Sequence, residues 1–126
     1  MSNDSIPSGI GTDIVDVRRF KSKSLNTELN FYKKLFSDSE ITYCKKFHSP
    51  YEHLAGKFAI KESVIKAIPE KLSFLDIYTS HSKNKPKISL KNELNDKYEF
   101  LVSVSHEKDF AIAFVIMFKK NHRYRE

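Results

Sequence analysis

EHLAGKFAIKESVIKAI, residues 52–68, is the strongest helix signal in the chain, and Pro69 stops it. Its Ala, Leu, Lys and Glu are good helix formers. At about 100° per residue, Leu54, Ala55, Phe58, Ala59 and Ile65 share one broad apolar face. Glu62 falls in the middle of that face, and Lys66, one turn later, lies at its edge. A carboxylate on an apolar face costs free energy unless it is paired or binds a metal. An i,i+4 pair with Lys66 explains Glu62 without any function. A metal ligand, or an acid–base group in a cleft, explains it too.

Working upstream, FSDSE at 36–40 predicts a helix start: Ser37 caps the free amides and Glu40 reaches back. That helix runs towards Phe47, and Ser49-Pro50 punctuates it. SGIGTDIVDV at 8–17 reads as a strand carrying two carboxylates, Asp13 and Asp16, with Gly9 and Gly11 as strand-entry residues. Residues 1–8 read as a short flexible lead, and Arg18 onward as a short helix and a loop. Downstream, Leu75–Ser80 and Lys87–Leu90 read as short strands joined by the polar loop 82–86. Phe100–Ser105 and Phe110–Phe118 read as two more, with a turn at 106–109. Phe110–Phe118 is almost continuously apolar, which predicts burial on both faces. Strands at both ends with helices between predict an α+β fold: one domain over 9–118, with an antiparallel sheet on a long central helix and a basic tail at 119–126.

Composition agrees with a single soluble domain. The chain has 126 residues, too few for two full domains, and its 10 Phe and 6 Tyr supply core bulk. Cys44 is the single cysteine, which excludes an internal disulfide or a multi-cysteine zinc site. The longest apolar run, Phe110–Phe118, is far short of the ~20 residues of a membrane span. No signal peptide is read at the start, so a cytoplasmic protein is expected. The net charge of +6 favours an anionic partner. Arg18, Arg19, Lys21, Lys23, Lys33 and Lys34 cluster within one stretch against a single acid, Glu28.

Asp13 and Glu62 come from separate elements. Two carboxylates with water and phosphate completing the shell are the usual supply for Mg²⁺. Lys57, Lys61 and Lys66 lie on the Glu62 helix and can hold phosphates as point charges. This constellation suggests Mg²⁺-assisted transfer of a phosphate ester. Ser105 and His106 are neighbours on a strand and point to opposite faces, so they do not form a nucleophile–base pair. No P-loop or G-x-G-x-x-G is present.

Taken together, Gly9-Ile-Gly-Thr-Asp13-Ile-Val, Arg19, Phe36-Ser37-x-x-Glu40, Leu54-Ala-Gly-Lys-Phe58-Ala-Ile-Lys61-Glu62-Ser-Val-Ile-Lys66-Ala67 and Ser103-Val-Ser-His106 resemble, in this order, the holo-acyl-carrier-protein synthases. These are the small single-domain group of 4′-phosphopantetheinyl transferases, and the resemblance runs from Gly9 to Phe118. It implies transfer of phosphopantetheine from coenzyme A to a serine of an apo acyl carrier protein, releasing adenosine 3′,5′-bisphosphate. It implies Mg²⁺ held by Asp13 and Glu62, and Lys66 assisting the leaving phosphate. It implies that Lys57, Lys61, Lys66, the Lys85-Pro86 loop, Ser105 and His106 bind coenzyme A. Arg18, Arg19, Lys21 and Lys23 match the surface that grips the acidic carrier protein. The resemblance also implies a homotrimer whose sites lie between subunits, with the Pro86 loop and His106 coming from the neighbour. Neither nucleic acid nor a membrane is then an expected partner. Three departures stand out. A Gly-rich stretch after the long helix is missing, since Ile68-Pro69-Glu70-Lys71-Leu72-Ser73 leads directly to Phe74. Lys57 replaces a frequent Arg, and Asn84 replaces a frequent Gly before Lys-Pro. The missing stretch motivates an alternative, a carrier-protein binder with weakened coenzyme A binding. A small basic nucleic-acid-binding domain is a second alternative, but it leaves Asp13 and Glu62 unexplained.

Overall fold

The computed structural model describes residues 5–120. Strand β1 (Ser5–Asp16) leads into two short helices, α1 (Arg18–Lys21) and α2 (Leu29–Lys33), then α3 (Asp38–Lys45) and the long α4 (Pro50–Ala67). A hairpin follows, β2 (Ile77–Ser82) and β3 (Lys85–Leu90), then the short α5 (Leu94–Lys97) and the strands β4 (Tyr98–Glu107) and β5 (Phe110–Lys120). The strands form an antiparallel sheet in the order β1-β5-β4 and a separate β2-β3 ribbon. The α+β expectation therefore holds, with α4 at the centre.

The local signals explain most boundaries. Ser37 and Glu40 form both halves of the capping box at the start of α3. Pro50 is the first residue of α4, a position where its missing N–H costs nothing, so the Ser-Pro step opens this helix. The predicted 82–86 loop shrinks to a two-residue hairpin turn. Lys83 and Asn84 both take positive φ, 53° and 64°, as a type I′ turn requires. Strand β1 begins at Ser5 and pairs with β5 as far as Lys120, so Ser5–Ser8 and Lys119–Lys120 belong to the sheet, not to a lead and a tail. The rest of both predicted segments lies outside the described residues.

Helix α4 is buried almost all round. Leu54 to Lys61 are all buried, and the helix packs on β1 and β5 with one side and on α1, α3 and β2 with others. Around it, Phe20, Phe31, Tyr32, Phe36, Phe58 and Phe74 form a connected ring cluster. The buried Tyr32 hydroxyl faces the carbonyls of Phe20 and Lys23, which ties down the chain after α1.

The expectation that β5 is buried on both faces is corrected. Ala111, Ala113, Val115 and Met117 face α4, whereas Phe110, Ile112 and Phe114 are exposed. Ile10 and Ile14 of β1 and Leu101 of β4 join them on an apolar outer face, where Ile14 is 62% and Phe114 44% exposed. A continuous apolar run can be a strand with one side covered by α4 and the other open within a single chain.

Gly9 and Gly11 do more than open the strand. A Cβ on Gly11 would lie 1.9 Å from the carbonyl oxygen of Ser63, and one on Gly9 equally close to that of Ala67. The two glycines share one face of β1 and let the α4 backbone rest directly on it. Gly11→Ala forces that contact apart and is expected to cost about 3 kcal/mol, the upper end of overpacking. Gly56→Ala meets only a Val104 methyl at 3.4 Å and is expected to be neutral or slightly stabilising. Urea denaturation of both variants reads the difference.

Candidate active site

Two residues beyond Gly11 on the same face of β1 comes Asp13. The close strand–helix contact brings it against Glu62 and Lys66 of α4. Lys66 donates from Nζ to the Thr12 carbonyl at 2.9 Å and to Asp13 Oδ1 at 3.2 Å. Asp13 is largely covered, with 17% of its side chain exposed, while Lys66 is half open. Burial, and then the neighbouring Asp13 charge, push the Glu62 carboxyl above its ordinary range, with Lys66 and Arg19 pulling the other way. The i,i+4 pairing of Glu62 with Lys66 is thus not what the structure builds: Lys66 bonds to β1, across the helix–strand contact. Two partly buried carboxylates that repel each other are a donor set that a hard divalent cation relieves. No group of three or more His, Cys, Asp or Glu is gathered for a metal among the described residues. Two carboxylates with other ligands from phosphate and water fit Mg²⁺, which keeps such partners.

The lysines of α4 divide between three tasks. Lys61 is fully buried. Its Nζ donates to Glu40 Oε1 at 2.7 Å, to the Leu35 carbonyl at 2.9 Å and to the Phe74 carbonyl at 3.0 Å. These bonds use all three ammonium protons, so none remains for a phosphate, and the structure gives Lys61 a core role instead. Lys57 is also buried, but it lines a cleft of about 340 Å³ with Tyr43, Phe47, His53, His81, Ser105 and His106. Among the described residues no carboxylate pairs with it. Its ammonium is held by the Thr79 hydroxyl at 2.9 Å and lies 4.8 Å from the Tyr43 ring centre. Burial lowers the pKa of Lys57 below its ordinary range. A buried cation without a counter-ion at the wall of a cleft is a natural anion site.

Ser105 and His106 reach this cleft from the end of β4 of the same chain, where the resemblance implies a His106 from the neighbour. Nδ1 of His106 lies 3.6 Å from Glu52. His53 stacks on Phe47 with ring centres 3.6 Å apart, and His81 stacks on Tyr43 at 4.4 Å. Burial first, then His106 and Lys57, lower the pKa of His53; burial, Lys57 and His53 do the same for His81. Sequence reasoning finds Ser105 and His106 but misses Tyr43, Phe47, His53 and His81, which come from α3, the turn after it, α4 and β2 with no common spacing. Lys85 and Pro86 line a different cleft, between β3 and β4. Within one chain they do not meet the Asp13–Glu62 pair.

The basic cluster also divides. Arg18 is held by Asp16 at 2.8 Å and faces Asp109 at 3.8 Å. Arg19 lies over the Phe58 ring and Lys23 over the Phe31 ring, and together they rim an apolar cleft of about 380 Å³ floored by Phe20, Leu35 and Phe74. Lys21 is exposed on α1.

Residues 9–115 match the family model of the 4′-phosphopantetheinyl transferase superfamily. A holo-[acyl-carrier-protein] synthase of Ehrlichia chaffeensis is 39% identical over 118 residues, covering 87% of this chain and 95% of the relative. One from Helicobacter pylori is 40% identical over 121 residues, covering 89% and 99%. Among solved structures, the Helicobacter pylori synthase in complex with coenzyme A superposes with a TM-score of 0.73 at 37% identity, covering 86% of this chain and 98% of that one. The Plasmodium yoelii synthase gives 0.75 at 27% identity, covering 93% and 98%.

The Lys61–Glu40 pair yields a stability prediction. Burial works against ionisation of Glu40, but bonds from Lys61, Thr79 and Ser37 prevail and hold its carboxyl below the ordinary range. A carboxyl lowered on folding contributes stability above its unfolded value, and that contribution is lost as pH falls through the folded value. Unfolding free energy should therefore decline below about pH 4.5. Lys61→Met should cost about 3–5 kcal/mol near neutral pH by leaving a buried carboxylate unpaired, and should flatten that acid limb. Denaturant titrations across pH 3–7 (roughly the range over which carboxyls titrate) measure both.

Proposed function

Since the chain belongs to the 4′-phosphopantetheinyl transferase superfamily, we propose that it transfers the phosphopantetheine arm of coenzyme A to a serine hydroxyl of an apo acyl carrier protein. The observation that carries this reading is the meeting of Asp13, Glu62 and Lys66 across the β1–α4 contact. The coenzyme A complex of the Helicobacter pylori synthase supports it further.

In this reaction the carrier serine Oγ gives up its proton to solvent and bonds to the β-phosphorus of coenzyme A. The bridging P–O bond breaks, and adenosine 3′,5′-bisphosphate leaves with the electron pair. Asp13 and Glu62 would hold Mg²⁺, which when bound neutralises pyrophosphate charge and orients the reacting groups. Lys66 donates hydrogen bonds to leaving-phosphate oxygens, exchanging its bond to Asp13 for one to the substrate. Lys57 attracts a phosphate of the nucleotide end into the ring-walled cleft, and His53 and His81 offer flat faces to a base. Ser105 and His106 line the same wall, with Glu52 orienting His106.

The acidic carrier protein docks at Arg19, Lys21 and Lys23. An acidic helix there also sets apolar side chains over the cleft between Phe20 and Phe31. Arg18 serves less, because Asp16 already holds it. The exposed apolar face of β1, β5 and β4 supports assembly into a homotrimer, since an open patch of this kind is costly in water. In such an assembly Lys85 and Pro86 of a neighbour reach a site they do not reach within their own chain. The reading carries a cytoplasmic location with it.

The intact mass of an apo acyl carrier protein is the direct test. After incubation with this protein, coenzyme A and Mg²⁺ it should gain one phosphopantetheine unit, and EDTA should prevent the gain. No gain with several carrier proteins from the same source contradicts the reading. Glu62→Gln should lower kcat/KM at least about a hundredfold, the few kcal/mol that a metal's charge stabilisation supplies. Wild-type transfer by this variant removes Glu62 from the metal site. In sedimentation velocity the wild type should run as three chains, and Phe114→Asp should run as one with transfer lost. A wild-type monomer with full activity contradicts the shared-site assembly.

A further inference from the structure

Glu40 is buried and accepts four hydrogen bonds. Oε1 takes Lys61 Nζ at 2.7 Å and the Ser37 amide at 2.8 Å; Oε2 takes the Thr79 amide at 2.8 Å and the Thr79 hydroxyl at 2.6 Å. Its oxygens are saturated, and its charge is matched by Lys61 alone. The second cation, Lys57, is bound to this centre only through Thr79. The direction of that link is forced. An ammonium only donates and a carboxylate only accepts, so the hydroxyl must donate to Glu40 and accept from Lys57. The remaining contacts of Lys57 Nζ are weaker: the Thr79 carbonyl at 3.4 Å and the Tyr43 ring. One glutamate, two lysines and one hydroxyl thus leave a single surplus positive charge on Lys57, which lines both the ring-walled cleft and the adjoining cavity that Thr79 also lines.

We propose that Thr79 is a positioning residue for coenzyme A: its hydroxyl, polarised by Glu40, aims the Lys57 ammonium into the cleft. The proposal rests on the reading of Lys57 as a coenzyme A ligand. Lysine is a flexible point charge where an arginine fork would orient itself, so this chain supplies the orientation from β2 instead. The link also joins the α3 start, α4 and the β2-β3 ribbon into one rigid wall behind the nucleotide end.

The test compares wild type, Thr79→Val, Thr79→Ser and Lys57→Met. Val keeps the shape and the backbone N–H that Glu40 accepts, and removes only the hydroxyl. Calorimetric titration with coenzyme A should show about tenfold weaker binding by Thr79→Val, in the range of one charge-assisted hydrogen bond. Steady-state transfer should show the change in KM for coenzyme A more than in kcat, with KM for the carrier protein unmoved. Thr79→Ser should recover to within about twofold of wild type, because it keeps the hydroxyl. Thermal melts establish that each variant is folded. The proposal is overturned if Thr79→Val binds like wild type while Lys57→Met is weakened, or if Thr79→Ser is as weak as Thr79→Val. If Lys57→Met binds coenzyme A like wild type, the reading of Lys57 itself fails and takes the positioning role with it. Wild-type protein that binds no coenzyme A instead contradicts the function proposed above.

Discussion

The backbone of β1 touches the backbone of α4 with no side chain between them, and the site depends on that contact. At Gly11 a methyl group would sit 1.9 Å from the Ser63 carbonyl oxygen. Elsewhere an antiparallel sheet and a covering helix are separated by side chains, and a short carboxylate on the strand would stop short of the helix. Here Asp13, next in line on the same face, reaches the Glu62–Lys66 edge directly. The glycines set the distance and the strand's two-residue repeat sets the direction. Burial supplies the electrostatic tension between the two carboxylates.

The other half of the structure is organised by a buried ion pair. Lys61 and Glu40 join α4 to α3, and Thr79 adds β2. Such a pair contributes little net stability compared with apolar packing, but breaking it is costly. It fixes where the elements that wall the ring-lined cleft stand relative to one another. Phosphoryl-type transfer asks the protein mainly for position and neutralised charge, and both of these rigid junctions supply position.

Much of this was legible in the sequence where short-range physics decides. The capping box at Ser37–Glu40, the α4 stop at Pro69, and Glu62 on an apolar face are local features, and the structure keeps each of them. Lys57, Lys61 and Lys66 look alike in the sequence, yet one is a core partner, one a cleft cation and one a bridge to β1. Helical spacing gives the angle of a residue about the axis but not which neighbour stands there, and Glu40 lies 21 positions from Lys61. The double role of Glu40, cap and buried counter-ion, was hidden for the same reason. Continuous apolarity in β5 predicts two buried faces, because sequence hydropathy does not tell the face that α4 covers from the one it leaves open. Gly9 and Gly11 looked like strand-entry residues, since nothing in a local window announces a helix carbonyl pressed against them.

The proposed function requires this glycine-enabled contact to assemble two carboxylates into one cation site for the pyrophosphate of coenzyme A. A crystal structure with coenzyme A and Mn²⁺, read by anomalous scattering, tests it most directly. One strong peak per chain is expected, coordinated by Asp13, Glu62 and a pyrophosphate oxygen, with Lys66 released from Asp13. A peak that touches neither carboxylate, or coenzyme A bound with Lys66 still on Asp13 and no metal between Asp13 and Glu62, would contradict it.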